Sequence, residues 1–145
     1  MQEHGKSFFW ASWFLDKNTA NKLFTVYALC RRLDDLVDTS NENSEAKEEI
    51  ARVISLTNNN QYKETFEEFK RIDSKLHPRQ DIITEFLKGQ LSDLDFRQPN
   101  DLGQLLKYCY RVAGVVGLMI CDVLDIRDSK LRYFAIDFGI AMQLT

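Results

Sequence analysis

The chain has 145 residues, 44% of them hydrophobic and 28% charged, a formal net charge of −3 and three cysteines. That length fits one compact domain with a substantial core. The mild acidity argues against a nucleic-acid-binding face, the odd and irregularly spaced Cys30, Cys109 and Cys121 argue against disulfide or zinc use, and the longest apolar run, Val112 to Cys121, is about half of the roughly 20 residues that a membrane span needs.

No strand alternation bounded by turn residues is found, whereas helical periodicity recurs, so an all-α fold is predicted. The opening, MQEHGKSFFW, lacks the basic stretch of a signal peptide. The protein is expected in the cytoplasm, with a peripheral seat on the inner membrane face as the other placement. A short helix is predicted over Ser7 to Leu15. Asn18 or Thr19 can cap the next helix, about Thr19 to Asp38, with Ala20, Leu23, Phe24, Tyr27, Leu33 and Val37 as its apolar positions. A helix over Glu45 to Thr57 turns Ile50, Val53, Ile54 and Leu56 inward. Another covers about Gln61 to Leu76. After His77-Pro78, the spacing of Ile83, Leu87, Leu91 and Leu94 predicts a further helix. Asp101, with Gln104 three residues on as a capping-box partner, opens a long apolar helix to about Leu124. Asp128 or Ser129 opens the last helix, which still runs at Thr145 with no stop signal.

Three stretches can carry chemistry. On an α-helix at about 100° per residue, Tyr27, Arg31, Asp34, Asp35 and Asp38 share about 100° of arc. Three carboxylates that close repel unless a cation lies between them. Arg31 stands at ion-pair spacing from Asp34 and Asp35, and a hard cation such as Mg²⁺ prefers carboxylate, water and phosphate oxygens. The plain alternative is a solvated face stitched by Arg31 and Arg32. In Tyr108 to Met119, Ala113, Gly114 and Gly117 are small residues inside a helix, where each Gly costs about 1 kcal/mol relative to Ala. They serve either tight helix packing or an opening for a long hydrocarbon beside Tyr108 and Val112. In His4 to Leu15, polar His4, Lys6 and Ser7 precede an aromatic cluster, as in a frayed plug or a lid. Gln143 among Ile140, Ala141, Met142 and Leu144 is either exposed or held by a polar group. Asp137 poses the same question. His77 reads as surface, Asp93 and Asp95 as solvated helix-end acids, with Asp93 able to face the cavity instead.

Together these stretches resemble the phytoene/squalene synthase family. HGKSF is similar to its N-terminal S-K-S-F segment, CRRLDDLVD to its first D-D-x-x-D motif, LKGQLSDL to its G-x-x-x-D-hydrophobic segment, and DFGIAMQLT to the start of its second aspartate-rich region. YCYRVAGVVGLM looks closest to bacterial phytoene synthases. The resemblance implies an all-helical isoprenoid-synthase bundle around a central cavity, of which residues 1–145 form a single, N-terminal part that stops before the second acidic motif. By the same resemblance, Asp34, Asp35 and Asp38 bind Mg²⁺ (or Mn²⁺) and act in catalysis with Tyr108. Arg31, His4, Ser7 and Tyr27 meet the diphosphate, Phe8 belongs to a lid, Val112, Ala113 and Gly117 line the prenyl channel with Tyr108, and Gln143 lies near the second metal site. The implied reaction joins two geranylgeranyl diphosphates head to head into phytoene through a cyclopropyl diphosphate, in carotenoid synthesis. Two farnesyl diphosphates giving squalene or dehydrosqualene, and a non-catalytic helical relative, are the alternatives. No NADPH site is seen. Without the second acidic set the chain is expected to turn over little substrate, and its exposed apolar faces are expected to favour self-association.

Overall fold

The computed structural model describes residues 15–39, 43–58, 74–95 and 97–145, and of residues 36–39, 43, 45–46, 56–58 and 74 the backbone alone. The predicted helix over Ser7 to Leu15, most of the one over Gln61 to Leu76, and the site candidates His4, Ser7 and Phe8 lie outside them. All regular structure among the described residues is helical: α1 (Lys17–Thr39), α2 (Asn43–Asn58), α3 (Gln80–Leu94), α4 (Leu102–Cys109), α5 (Val115–Val123) and α6 (Ser129–Leu144), with a 3-10 turn at Ser74–Leu76.

The caps are local chemistry. Asp16 opens α1, its Oδ1 accepting from the N–H groups of Asn18 and Thr19, both at 3.0 Å. Asn18 and Thr19, expected as caps, are therefore the first-turn donors instead, because a carboxylate two or three residues upstream reaches those orphan amides better. These bonds hold the Asp16 carboxyl below its usual range, the Thr19 bonds contributing most. Asp101 caps α4 as predicted, accepting from the Gln104 N–H at 2.8 Å, while the Gln104 side chain accepts from the Asn100 N–H. Asp128 caps α6 through the Leu131 N–H at 3.0 Å. The end of α5 is a left-handed turn at Asp125 (φ 58°), with the Ile126 N–H returning to the Cys121 carbonyl at 2.8 Å. Asp tolerates that conformation better than most side chains.

The core gathers Val26, Leu29 and Leu33 of α1, Ile50 and Val53 of α2, Ile82, Ile83, Phe86 and Leu87 of α3, and Val115, Met119 and Val123 of α5. Each such side chain contributes about 1.5–3 kcal/mol on burial. On α1 the buried stripe is Val26, Leu29 and Leu33, while Leu23, Phe24 and Tyr27 are half-buried. Of the expected positions Ala20 and Leu33 are thus buried and the side chain of Val37 lies outside the described residues, while Val26 and Leu29 were not singled out because leucines and aromatics lie all around that helix. α3 is the central helix, packed on α1, α2 and α5.

The long helix expected from Asp101 to Leu124 is interrupted. Its backbone stays helical, but Tyr110–Gly114 forms a π-helical turn between α4 and α5. Such turns often mark functional sites. Here the turn also seats α6. A Cβ on Gly139 would lie 2.5 Å from the Ala113 oxygen, and one on Gly117 would lie 2.4 Å from the Ala135 oxygen. Two helix backbones therefore touch where only hydrogen atoms fit, which is the close-packing use of these small residues.

A buried ion pair pins the same region. Asp122 is 1% exposed, and Arg132 donates to its Oδ1 at 2.7 Å and to the Ile126 carbonyl at 3.1 Å. The backbone N–H of Arg79, just before α3, donates to Asp122 Oδ2 at 2.9 Å. One carboxylate thus ties the end of α5 to the starts of α3 and α6. The other side of α6 is open: none of its residues is buried, and Leu131, Tyr133, Phe134, Phe138 and Met142 are all exposed.

Candidate active site

The acidic end of α1 lies against α3. Asp34 points inward enough for its Oδ1 to accept from the Gln90 Nε2 at 3.0 Å, and Gln90 is only 3% exposed. Asp35, one residue on and about 100° round the helix, is half-exposed and paired with Arg31 at the i, i+4 spacing anticipated from the sequence. An exposed pair of that kind contributes only a few tenths of a kcal/mol, so it orders the two side chains more than it stabilises the fold. Tyr27 is half-buried on the same helix, two turns before Asp34. The backbone of Asp38 continues α1, but its side chain lies outside the described residues.

One turn beyond Gln90, Asp93 accepts a hydrogen bond from the Tyr108 phenol of α4. Burial, this bond and the negative charges of Asp93 and Asp34 push the Tyr108 phenol up to about 12. Cys30, one turn before Asp34, is likewise pushed up to about 12 by burial first and by the Asp34 charge second. Two groups on different helices thus feel the same negative field. It centres where α1, α3 and α4 converge. Asp93 is therefore half-buried and engaged rather than solvated, the cavity-facing alternative of the sequence reading, whereas Asp95 is exposed and pairs with Lys47 at 2.6 Å. Tyr108 also lines an open pocket of about 300 Å³ whose rim carries Arg97, Lys107 and Arg111. Those cations would suit an anionic group beside the acidic cluster.

The remaining candidates are dispersed. Val112 and Ala113 lie half-buried in the π-turn, and Gly117 faces Ala135 across the α5–α6 crossing. Gln143 and Asp137 are exposed on α6. His77 is half-buried rather than surface. Cys30, Cys109 and Cys121 are free thiols, as expected for small core residues. Gln90 went unmarked in the sequence because a glutamine inside a helix looks like a surface residue. The signal was its place on the Ile83–Phe86–Leu87 face of α3, seven residues from Ile83, where a polar side chain is costly to bury without a partner.

The donor set of the acidic cluster fits a hard cation. Among the described residues no three His, Cys, Asp or Glu side chains enclose a metal position. Asp34 and Asp35 supply carboxylate oxygens at this end of α1, and the Asp34 charge adds to burial, the larger cause, in raising Tyr108 and Cys30. Carboxylate oxygens of this kind suit an ion that completes its octahedron with water and phosphate oxygens. Among the described residues no helix is long and apolar enough to cross a membrane.

Comparison with known proteins shows the family. The family model described as squalene/phytoene synthase matches residues 1–145. The chain is 31% identical over 157 residues to the 15-cis-phytoene synthase of Enterobacter agglomerans, covering 100% of this chain and 53% of that protein. It is 29% identical over 153 residues to the 4,4′-diapophytoene synthase of Staphylococcus haemolyticus, again covering 100% of this chain and 53% of the relative. Among solved structures, a dehydrosqualene synthase in complex with ligand superposes with a TM-score of 0.74 at 33% identity, over 97% of this chain and 50% of that one. The chain spans about half the length of these relatives. Its helical fold is that of an isoprenoid synthase, and the chain belongs to the squalene/phytoene synthase family.

Proposed function

We propose that these residues form the first half of a prenyltransferase that condenses two geranylgeranyl diphosphates head to head into phytoene. The observation that carries the reading is the convergence of Asp34, Gln90, Asp93 and Tyr108 at one end of an apolar helical core. Asp34, Asp35 and Asp38 hold magnesium there, or manganese in its place. Bound magnesium supplies charge neutralisation for the departing diphosphate. Arg31 and Tyr27 border the diphosphate, with His4 and Ser7 approaching from the N-terminal segment and Phe8 closing over it. The apolar wall, including Tyr108, Val112 and Ala113, excludes water from the allylic cation, and the Tyr108 ring face stabilises positive charge. The double bond of the second prenyl chain attacks that cation and a proton leaves, giving a cyclopropyl diphosphate. A second ionisation expels the remaining diphosphate, and rearrangement with loss of a proton gives the linear product. No side chain acts as nucleophile. Gln143, exposed on α6, approaches the second metal position, where the relatives' unmatched half adds further groups.

A second reading, two farnesyl diphosphates as substrates, is supported by the likeness to a dehydrosqualene synthase and a diapophytoene synthase. A non-catalytic role is disfavoured by the intact Asp34, Asp35 and Asp38. The test is to join residues 1–145 to the C-terminal half of a phytoene synthase relative and incubate the product with Mg²⁺ and either geranylgeranyl or farnesyl diphosphate. Mass analysis should show a C40 hydrocarbon from the former, lost in Asp34→Ala. The 145 residues alone should turn over little or nothing. Undiminished product from the Asp34→Ala protein would refute the reading, and C30 product alone would select the farnesyl substrate.

A further inference from the structure

We infer that Gln90 is a positioning residue that aims the Asp34 carboxylate at the cation. The inference rests on the metal-binding role proposed above for Asp34. Four observations meet at this residue. Gln90 lies in the middle of α3, 3% exposed, on the helix face that also carries Phe86, Leu87 and Leu94. Its Nε2 donates to Asp34 Oδ1 at 3.0 Å across the α1–α3 interface. Asp34 itself is half-buried. Its neighbour Asp35 is held by a cationic partner, Arg31.

The physical argument turns on the difference between those two partners. The terminal torsion of an aspartate is broad, so its oxygens sweep a wide arc unless something fixes them. A buried amide fixes them strongly, because an Nε2 that lost this hydrogen bond would be an unmet buried donor, which is costly. A neutral amide also holds the carboxylate without cancelling its charge. A lysine or arginine at position 90 would orient Asp34 equally well but would compete with an incoming cation. Asp35, paired with Arg31, is the weaker ligand until the guanidinium turns to a phosphate oxygen. The same helix then orients two members of the site from below, Asp34 through Gln90 and Tyr108 through Asp93, one turn apart.

The test uses the isosteric Gln90→Met, with Asp34→Asn and the double variant beside it. In ¹⁵N-labelled protein without metal, Asp34→Asn should move the Gln90 side-chain amide resonances and speed their exchange with solvent. An unmoved amide overturns the inference. Mn²⁺ binding by electron paramagnetic resonance supplies the second readout. Gln90→Met should weaken Mn²⁺ binding about tenfold while the metal-free unfolding midpoint changes little. In the double variant the loss should not exceed that of Asp34→Asn alone, because Gln90 acts through Asp34. Additive losses, or unchanged Mn²⁺ affinity in Gln90→Met, overturn it. If the unaltered chain binds no Mn²⁺ at all, the metal-binding reading of Asp34 fails and the role of Gln90 falls with it. That result is distinct from wild-type binding that Gln90→Met leaves intact.

Discussion

Replacing Gly117 by alanine tests the contact on which the placement of α6 depends. The added Cβ would lie 2.4 Å from the Ala135 oxygen, 2.8 Å from its carbonyl carbon and 3.2 Å from its Cβ. Ordinary contact needs about 3.5 Å, so α5 and α6 must part by roughly 1 Å. The obstacle is helix backbone, which cannot rotate aside as a side chain would. Overpacking of this kind costs typically 1–3 kcal/mol, and backbone resistance puts this site toward the upper end. Alanine also gains about 1 kcal/mol over glycine in helix propensity. The net expectation is a loss of about 2 kcal/mol, or a fall of roughly 4–8 °C in melting temperature for a domain of this size. Gly139→Ala, with its Cβ 2.5 Å from the Ala113 oxygen, should behave alike. The two sites share one helix crossing, so a single displacement relieves both, and the double variant should lose less than the sum. Gly103→Ala, exposed in the first turn of α4 and facing only the Asp101 side chain, is the control and should stay within about 0.5 kcal/mol of the unaltered chain. Urea unfolding of the four variants beside the unaltered chain supplies the comparison. A Gly117→Ala protein as stable as the original would show that the helices do not touch there, and the reasoning about α6 would be refuted.

Asp122→Ala should be among the most damaging single changes, costing about 3–5 kcal/mol in urea unfolding, because it strands the largely buried Arg132 guanidinium. Asp122→Leu with Arg132→Met should recover much of that loss; if it does not, the pair does more than neutralise itself. The Tyr108 phenol holds its proton to about 12 in the fold, against an ordinary 10.0. Its contribution to stability is therefore complete below pH 10 and lost as pH rises through about 12. The stability difference between the unaltered chain and Tyr108→Phe should be flat below pH 10 and shrink by pH 12, and a difference that stays constant would contradict the Asp93 contact. With its thiol pushed up to about 12 by burial ahead of the Asp34 charge, Cys30 should resist iodoacetamide at pH 8 in the folded chain and react on unfolding. Asp34→Asn should speed that reaction only slightly, and fast alkylation in that variant would show that charge, not burial, protects the thiol.

Elements that depend on near neighbours along the chain were legible beforehand. The Asp101–Gln104 cap, the α2 face of Ile50 and Val53, and the Arg31–Asp35 pair all follow from spacings of three or four residues, which a helix makes adjacent whatever surrounds it. The clustering of Tyr27, Arg31, Asp34 and Asp35 on α1 is of the same kind. So is the family, because its motifs are short strings in a fixed order. On α1 Ala20 and Leu33 were legible as core but Val26 and Leu29 were not, since apolar residues surround that helix and its packing partners choose among them. The π-turn at Tyr110–Gly114 was hidden for a similar reason: its residues suit an α-helix equally well, and the contact with α6 is what accompanies the wider turn. Small residues could mean a channel or a crossing until Gly117 met Ala135. Gln90 met Asp34 from 56 positions away. Local chemistry along the chain determined the helices, their ends and the acidic face. Tertiary packing alone decided that Asp34 is held by a buried amide, because that contact is made by a side chain from another helix.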